Sequence, residues 1–309
     1  MKILVTGGAG FLGSHLCKKF LEKNYEVICL DNLGSGRKEN IAEFMNNSKF
    51  KFIHADVTKD LSKMEKVDII LHFASRASPY DYQENSFETI EANTSGTMNC
   101  LEKAKKDNAV ILYASTSEIY GQAQIIPTPE SYLGYVNSFG PRSCYDESKR
   151  LGETYCYEYL KKFNVDARIV RIFNTYGPKM RFDDGRVVTN FIDQAVNNKP
   201  ITIFGKGTQT RCFCYVDDLI NGIYTFATKQ GLKGEVINLG NTEEHTMIEL
   251  AEILIKLTKS NSKIIYSELP KDDPVRRVPD ISKAKKLLNW EFNYSFENGL
   301  KKFLEEIQK

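Results

Sequence analysis

A tyrosine and a lysine stand four residues apart in the segment SCYDESKR, which covers residues 143–150. Residues at this spacing share one side of a helix, so Tyr145 and Lys149 would be neighbours there. A phenol beside an ammonium group can transfer protons, but such a pair also occurs on ordinary solvated helix surfaces. The segment alone leaves both interpretations open, and the elements around it must decide between them.

A glycine-rich turn near the start of the chain is the second feature whose spacing predicts chemistry. The apolar stretch KILV leads into TGGAGFLG at 6–13, and apolar residues at helical spacing follow. Gly8, Gly10 and Gly13 match G-x-G-x-x-G, and Gly7, Gly10 and Gly13 match the related pattern G-x-x-G-x-x-G. Such a turn lets the backbone approach a pyrophosphate, which then lies on the helix N-terminus. The turn therefore predicts a dinucleotide site.

Asp31 predicts which dinucleotide binds. It ends the apolar strand YEVICLD, eighteen residues after Gly13. A carboxylate at this place accepts hydrogen bonds from the adenosine ribose hydroxyls and repels a 2′-phosphate, which favours NAD over NADP. Arg37 is close enough in sequence to bind such a phosphate, which would favour NADP. We give more weight to Asp31.

Apolar strands and helical patterns continue to alternate through the first half of the chain. Strands are predicted at 2–5, 25–31, 51–57, 67–75, 109–121 and 166–178. This alternation is typical of an α/β fold with a doubly wound parallel sheet, the Rossmann arrangement. Ligands of such sheets bind beyond the carboxyl ends of the strands. We therefore expect Ala74, Ser75, residues 115–118 and Asn174 to meet in one cleft, into which the Tyr145 helix can lean.

The regular alternation weakens after about residue 177, which predicts a smaller, discontinuous C-terminal lobe. The patterns indicate a loop and helix at 184–198, two short strands around a glycine-rich turn at 201–219, a buried strand at 234–240 and a helix at 247–259. The strand at 234–240 is expected to return to the main sheet. We thus assign residues 1–176 to the dinucleotide-binding domain, with 210–245 returning to it, and 177–309 mainly to the lobe.

Composition excludes several classes of protein. The 309 residues carry a net charge of only +2, which predicts neither a nucleic-acid partner nor a membrane surface. Seven scattered cysteines and four separated histidines form no metal motif and fit a reducing compartment. We expect a cytoplasmic enzyme without a metal, because the opening residues lack the features of a signal peptide and no apolar run could span a bilayer.

The glycine turn, STSEIYG at 115–121 and the Tyr145–Lys149 spacing together resemble the extended short-chain dehydrogenase/reductase family. Within it, later segments closely resemble the UDP-glucuronate decarboxylase family over nearly the whole chain: NSFGPRSCYDESKR at 137–150, RIFNTYGPKM at 171–180, DGRVVTNFI at 184–192, QTRCFCYVDDL at 209–219 and DDPVRRVPDIS at 272–282. The resemblance implies an NAD-dependent lyase. It would convert UDP-glucuronate to UDP-xylose through a transient 4-keto sugar, with internal return of the hydride.

The resemblance also implies roles for individual residues. Tyr145 would be the catalytic acid/base, and the Lys149 ammonium together with the positive nicotinamide ring would lower its pKa toward the working range. Ser115 or Thr116 would hydrogen-bond the sugar hydroxyl that is oxidised, while Ser117 and Glu118 would assist loss of carbon dioxide or reprotonation of C5. The implied cofactor contacts are Gly7, Gly10, Phe11, Leu12, Gly13, Asp31, Asn32, Asp56, Val57, Ala74, Ser115, Tyr145 and Lys149. The implied contacts to the nucleotide sugar are Tyr82, Asn174, Asn190, Phe204, Arg211 and Arg277.

Several of these residues have a simpler alternative. Glu118 could be a structural carboxylate at a strand end, and Arg211 a surface charge. Phe204 could lie along the uracil or pack in a small core. Arg277 is expected to pair with the substrate carboxylate, while the adjacent Arg276 could face solvent.

Alternative functions on the same scaffold are a nucleotide-sugar 4-epimerase, a 4,6-dehydratase and a dinucleotide sensor. Glu118 and Arg277 disfavour a simple epimerase, Ser117 replaces the acid that dehydratases use, and sensors typically lose the Tyr–Lys pair. The chain departs from the family at Arg76, which we expect near the substrate pocket. Residues 91–104 and the Tyr145 helix resemble the dimer helices of the family, which implies a homodimer.

Overall fold

The structure is a computed structural model that describes residues 1–183, 185–269 and 276–307. Its centre is a parallel sheet of seven strands in the order β11-β6-β5-β4-β1-β2-β3. These strands are β1 (Lys2–Thr6), β2 (Glu26–Asp31), β3 (Phe50–His54), β4 (Ile69–His72), β5 (Val110–Thr116), β6 (Asp166–Ile172) and β11 (Val236–Leu239). This confirms the predicted doubly wound α/β fold.

Helices cover both faces of the sheet. They are α1 (Phe11–Glu22), α2 (Pro79–Glu84), α3 (Ser86–Asn93), α4 (Ser95–Asp107), α5 (Ser143–Phe163), α6 (Val187–Val196), α7 (Val216–Thr228), α8 (Met247–Thr258), α9 (Ser282–Leu288) and α10 (Phe296–Ile307). Residues of α1 and α7 share one apolar cluster with the sheet, and residues of α4 and α5 share the other. Because both faces are covered, the strands are continuous apolar runs rather than alternating ones.

The predicted strand at 234–240 does join the main sheet, where β11 pairs in parallel with β6. Four other predicted strands end earlier than expected: β3 ends at His54 and β4 at His72, each three residues before its predicted end. The chain leaves β5 after Thr116 and continues as a short 3-10 helix, Ser117–Tyr120, and it leaves β6 after Ile172. These early ends lie at the carboxyl edge of the sheet, where the backbone turns toward the ligand cleft.

Three small two-stranded ladders lie outside the main sheet. Their strands are β7 (Thr175–Tyr176) with β10 (Cys214–Tyr215), β8 (Ile201–Phe204) with β13 (Ile264–Ser267), and β9 (Thr210–Cys212) with β12 (Glu244–Thr246). The two short strands predicted at 201–219 are present, but each pairs with a later segment. Among the described residues, no helix combines the length and the apolar character that crossing a membrane requires.

Candidate active site

A cavity of about 760 Å³ opens where the strand order reverses between β1 and β4, at the carboxyl ends of the strands. It runs from the glycine turn to residues of the C-terminal lobe. The predicted site residues line this cavity with the exception of Tyr82. The fold therefore brings together side chains that are up to 270 residues apart, as between Gly7 and Arg277.

The floor of the cavity fits the pyrophosphate of NAD. Gly7 has a φ of +70°, and a Cβ on Gly13 would lie only 2.0 Å from the carbonyl oxygen of Gly7. Only glycine permits this close approach of the turn to the first turn of α1. The described residues give α1 no side-chain cap and no acid in its first turn, so its N-terminal N–H groups are suited to an anion.

Asp31 lies at the ribose end of the cavity and is 6% exposed. Its carboxylate accepts hydrogen bonds from the backbone N–H of Ala9 at 2.9 Å and of Leu33 at 2.7 Å. Each oxygen keeps a further lone pair for a ribose hydroxyl. Arg37, the argument for NADP, instead pairs with Asp183 at 3.1 Å and is half exposed. The ribose end therefore carries a fixed carboxylate, which fits NAD.

Tyr145 and Lys149 lie in the cavity wall rather than on a solvated helix face, because both side chains are almost fully buried. The Lys149 ammonium donates to the carbonyl oxygen of Ala114 at 2.8 Å. Burial lowers the pKa of Lys149 to about 7. Burial also raises the pKa of the Tyr145 phenol above its usual value, and the charge of Glu118 raises it further. In the protein alone the pKa of Tyr145 is thus above the working range, and the expected decrease requires the cationic nicotinamide ring as well as Lys149.

The structure distinguishes between Ser115 and Thr116 as partners of Tyr145. The Ser115 hydroxyl donates to Glu153 at 2.6 Å, and Glu153 is itself paired with Arg171. The Thr116 hydroxyl accepts from the backbone N–H of Glu118 at 3.2 Å, and its proximity to Tyr145 opposes the rise in the pKa of the tyrosine. Thr116, rather than Ser115, is therefore the hydroxyl beside Tyr145.

Glu118 lies between two guanidinium groups in the cavity wall. Its Oε2 accepts from Arg142 at 2.6 Å, and its Oε1 lies 3.5 Å from Arg277. Burial favours the neutral acid, but the two arginines outweigh it and lower the pKa of Glu118 to about 2. Glu118 is thus not merely a strand-end carboxylate: it is an ionised group between two cations at the cavity.

Arg276 and Arg277 have different surroundings, as the sequence allowed. The Arg276 side chain is 53% exposed and pairs with Glu244 at the surface, while Arg277 is buried and lines the cavity. The Nε of Arg277 has no hydrogen-bond partner among the described residues. A substrate carboxylate can therefore approach Arg277 and not Arg276.

Tyr82 does not line the cavity, although it was predicted to contact the sugar. Its side chain is fully buried and its ring stacks on that of Tyr145, with centroids 4.8 Å apart. The Tyr82 hydroxyl donates a long hydrogen bond of 3.4 Å to Glu118. Tyr82 lies on α2 with its side chain directed into the protein, so its ring packs against the Tyr145 ring from outside the cavity.

The far end of the cavity is formed by the C-terminal lobe. Asn174, Asn190, Phe204 and Arg211 all line it. Phe204 is 44% exposed and so is not packed in a core, which favours the uracil contact. Arg211 is buried and donates to the carbonyl oxygen of Thr210 at 2.8 Å, so it is not a surface charge. This end can hold a nucleoside diphosphate.

Arg76 lies at the cofactor end of the cavity, away from its predicted place near the sugar. It pairs with Asp81 at 2.5 Å. Its Nη2 lies 3.1 Å from the position that a Cβ on Gly34 would take, beside the side chain of Asn32. The guanidinium therefore reaches the loop that follows Asp31.

Sequence reasoning missed two charged residues of the site, Arg142 and Asp146. Both stand in the segment that contains Tyr145 and Lys149, and both pack around Glu118. Their spacing of four residues was the available signal, since it places them on the same side of the helix.

Comparisons with known proteins agree with this geometry. Residues 3–240 match the model of the NAD dependent epimerase/dehydratase family. The chain is 46% identical to UDP-glucuronic acid decarboxylase 1 of Danio rerio, covering 100% of this chain and 73% of that protein. It is 47% identical to UDP-glucuronic acid decarboxylase 6 of Arabidopsis thaliana, covering 100% and 89%.

A solved structure of similar fold is the UDP-glucuronic acid 4-epimerase from Bacillus cereus in complex with UDP-glucuronic acid and NAD. Its TM-score is 0.91 at 33% identity, and the match covers 100% of this chain and 99% of that chain. The chain therefore belongs to the NAD dependent epimerase/dehydratase family, an extended short-chain dehydrogenase/reductase group, and within it to the UDP-glucuronic acid decarboxylase family.

Proposed function

We propose that this chain decarboxylates UDP-glucuronate to UDP-xylose. The observation that carries the proposal is the position of Glu118 and Arg277 beside Tyr145 in one cavity. A guanidinium there can hold the sugar carboxylate through paired hydrogen bonds. An ionised acid and a phenol are then both within reach of the carbons that react.

A carboxylate on C5 of the sugar does not leave readily, because its bonding electrons have no acceptor. NAD, when bound by the glycine turn and Asp31, would supply reversible hydride transfer at C4, so the reaction would consume no external oxidant. The C4 ketone makes the substrate a β-keto acid, whose electrons can pass into an enolate when carbon dioxide leaves.

The residues of this chain divide the remaining work. Tyr145 removes the proton of the C4 hydroxyl, and Thr116 orients that hydroxyl. Because burial raises the pKa of Tyr145, the phenolate needs nearby positive charge, which Lys149 and the cationic nicotinamide ring provide. Arg277 holds the carboxylate against rotation, and Ser117 and Glu118 line the wall beside it.

A second candidate is a 4-epimerase that acts on the same substrate. The Bacillus cereus UDP-glucuronic acid 4-epimerase, 33% identical over the full chain, supports it. An epimerase must rotate the ketone between hydride transfers, however, and the buried arginine pair around Glu118 would hold the carboxylate in place. A 4,6-dehydratase is less well supported, because Ser117 stands where that reaction needs an acid.

Product analysis tests the proposal directly. The purified chain would be incubated with NAD and UDP-glucuronate, and the product identified by mass spectrometry and NMR. A UDP-pentose that is lighter by carbon dioxide is expected. A product of unchanged mass that is inverted at C4 would make the chain an epimerase.

We further propose a homodimer formed by α5 and residues 91–104. Large apolar side chains are exposed on these elements and on the adjacent α3, among them Phe87 at 78%, Met98 at 39% and Leu151 at 41%. Exposed apolar clusters of this kind favour association. Light scattering should give the mass of two chains, and a monomer mass would refute this part of the proposal.

A cytoplasmic location is also proposed. The seven cysteines are free thiols, and six of them are buried. Free thiols are typical of a reducing compartment. Cell fractionation should recover the protein in the cytosolic fraction, and recovery from an oxidising compartment would contradict the proposal.

A further inference from the structure

Asp146 is a buried carboxyl group that the roles proposed above do not use. It follows Tyr145 directly on α5, is 7% exposed and does not line the cavity. Its side chain lies beside the Glu118 carboxylate, and its Oδ1 has no hydrogen-bond partner among the described residues. Two neighbouring buried carboxyl groups favour a proton on one of them, because two buried carboxylates would repel each other.

The surroundings decide where that proton lies. Glu118 is favoured as the anion by Arg142 at 2.6 Å and Arg277 at 3.5 Å. Asp146 gains less from these cations: burial raises its pKa to about 8, and the charge of Glu118 contributes. The other ionisable groups near Asp146 are Tyr82 from α2 and, on its own helix, Cys144 and Tyr145. At neutral pH, the proton therefore resides on Asp146.

The proposed decarboxylation requires a proton in this place. When the bond between C5 and the carboxylate breaks, carbon dioxide leaves and the electron pair passes into the enolate of the C4 ketone. C5 must then accept a proton before the ketone is restored, so one proton is consumed in each turnover. The 4-epimerase reaction breaks no carbon–carbon bond and consumes no proton, so it needs no such donor.

Substrate binding would move the stored proton to the residue that faces the sugar. A substrate carboxylate that pairs with Arg277 draws this guanidinium away from Glu118. Glu118 then loses part of the positive charge that keeps it ionised, and its affinity for a proton rises. The proton can pass from Asp146 to the neighbouring Glu118, which lines the cavity.

We propose that Asp146 stores the proton that Glu118 delivers to C5 of the sugar after carbon dioxide leaves. The inference rests on the proposed decarboxylase function. Asp146 is a positioning residue, since it acts through Glu118 and does not touch the substrate. After each turnover, the pair regains its proton from solvent.

The test compares the chain with Asp146→Asn and with Glu147→Gln as the matched control. Glu147 is the next residue on α5 and pairs with Arg150 at the surface, so its substitution removes the same charge outside the site. The measurements are kcat against pH and single-turnover release of carbon dioxide and UDP-pentose, with the product identified by mass. Both variants would first be checked for folding by circular dichroism.

Above about pH 8, we expect kcat of the unaltered chain and of Glu147→Gln to fall, as Asp146 loses its proton. Asp146→Asn should lower kcat about 100-fold, the usual contribution of general acid catalysis, with KM little changed. It should lack the alkaline fall above about pH 8, because water then supplies the proton, while any decrease near pH 7, where Lys149 loses its proton, should be common to all three proteins. In its first turnover, carbon dioxide should appear before UDP-pentose.

Two results would overturn the proposal. The first is an Asp146→Asn variant that keeps the alkaline fall, whatever its kcat, since the residue would then be merely structural. The second is an unaltered chain whose kcat stays constant above about pH 8. This measurement uses no variant, so it tests the proposal even if Asp146→Asn does not fold. If the unaltered chain gives a product of unchanged mass, the decarboxylase function itself has failed, and the mass distinguishes this case.

Discussion

The aromatic rings of Tyr82 and Tyr145 lie parallel, with 2° between their planes and 4.8 Å between their centroids. Tyr82 is fully buried, so one face of the proposed acid/base rests on a rigid ring that solvent does not reach. Stacked rings fix each other's orientation more strongly than aliphatic contacts do. The position of the Tyr145 hydroxyl over the sugar therefore depends on a residue outside the cavity.

Tyr82→Leu should lower kcat about tenfold or more, because small displacements of a catalytic group are costly. Tyr82→Phe keeps the ring and loses only the 3.4 Å hydrogen bond to Glu118, so its kcat should stay within about threefold. Steady-state kinetics of the two variants would check this. Equal loss in both variants would show that the hydroxyl, rather than the stack, is what matters.

Arg277→Ala should lower kcat/KM for UDP-glucuronate about 100-fold, because the substrate carboxylate loses a charged bidentate partner. The dissociation constant for NAD should change less than about twofold, since Arg277 lies at the sugar end of the cavity. Kinetics and titration calorimetry would measure the two quantities. Arg276→Ala is the control, because its exposed pair with Glu244 contributes little. Similar activity in Arg277→Ala and the unaltered chain would contradict its proposed role.

Arg76→Ala should weaken NAD binding about tenfold, because a guanidinium beside the Asp31 loop can contact the cofactor. The kcat at saturating NAD should change little. Calorimetry with NAD and the cofactor content of the purified protein would check this. Arg37→Ala is the matched control, since Arg37 pairs with Asp183 outside the cavity. An unchanged NAD affinity with a raised KM for UDP-glucuronate would return Arg76 to the substrate pocket.

Lys149→Met should abolish turnover and yet stabilise the protein without ligands. The pKa of Lys149 is lowered from 10.5 to about 7 by burial. Between these two pH values the unfolded chain binds more protons than the native one, so the free energy of unfolding rises with pH. Below about pH 7, the native state bears the full free-energy cost of burying the Lys149 amine. Removing the amine should therefore raise the free energy of unfolding at neutral pH by a few kcal/mol, less about 1 kcal/mol for the bond to Ala114.

Thermal unfolding at several pH values would measure this effect. The gain in Lys149→Met should shrink as the pH rises from 7 toward 10.5 and vanish above 10.5, where the lysine is neutral in both the native and the unfolded state. Lys103→Met is the control: Lys103 is also buried but pairs with Asp107 at 2.5 Å, so its loss should destabilise the protein. A gain in Lys149→Met that does not depend on pH would refute the charge argument.

The sequence by itself determined the main sheet, the glycine turn, the Asp31 position and the Tyr145–Lys149 pair. These features are local: strand and helix periods, turn glycines and a spacing of four residues are written in neighbouring positions. Even β11, which returns from residue 236, could be predicted because a buried strand of that length needs a sheet on which to pack.

Only the tertiary structure decided which side chains face one another. The ladder of β8 with β13 joins segments about sixty residues apart, and no pattern in neighbouring residues predicts which strand β8 pairs with. The same holds for Tyr82 behind Tyr145, for Arg76 beside Asn32 and for Asp146 against Glu118. Burial and neighbouring charge set the pKa of each group, and both exist only once distant segments have packed. The chemistry of the residues was readable from the chain, but their protonation and orientation depend on the fold.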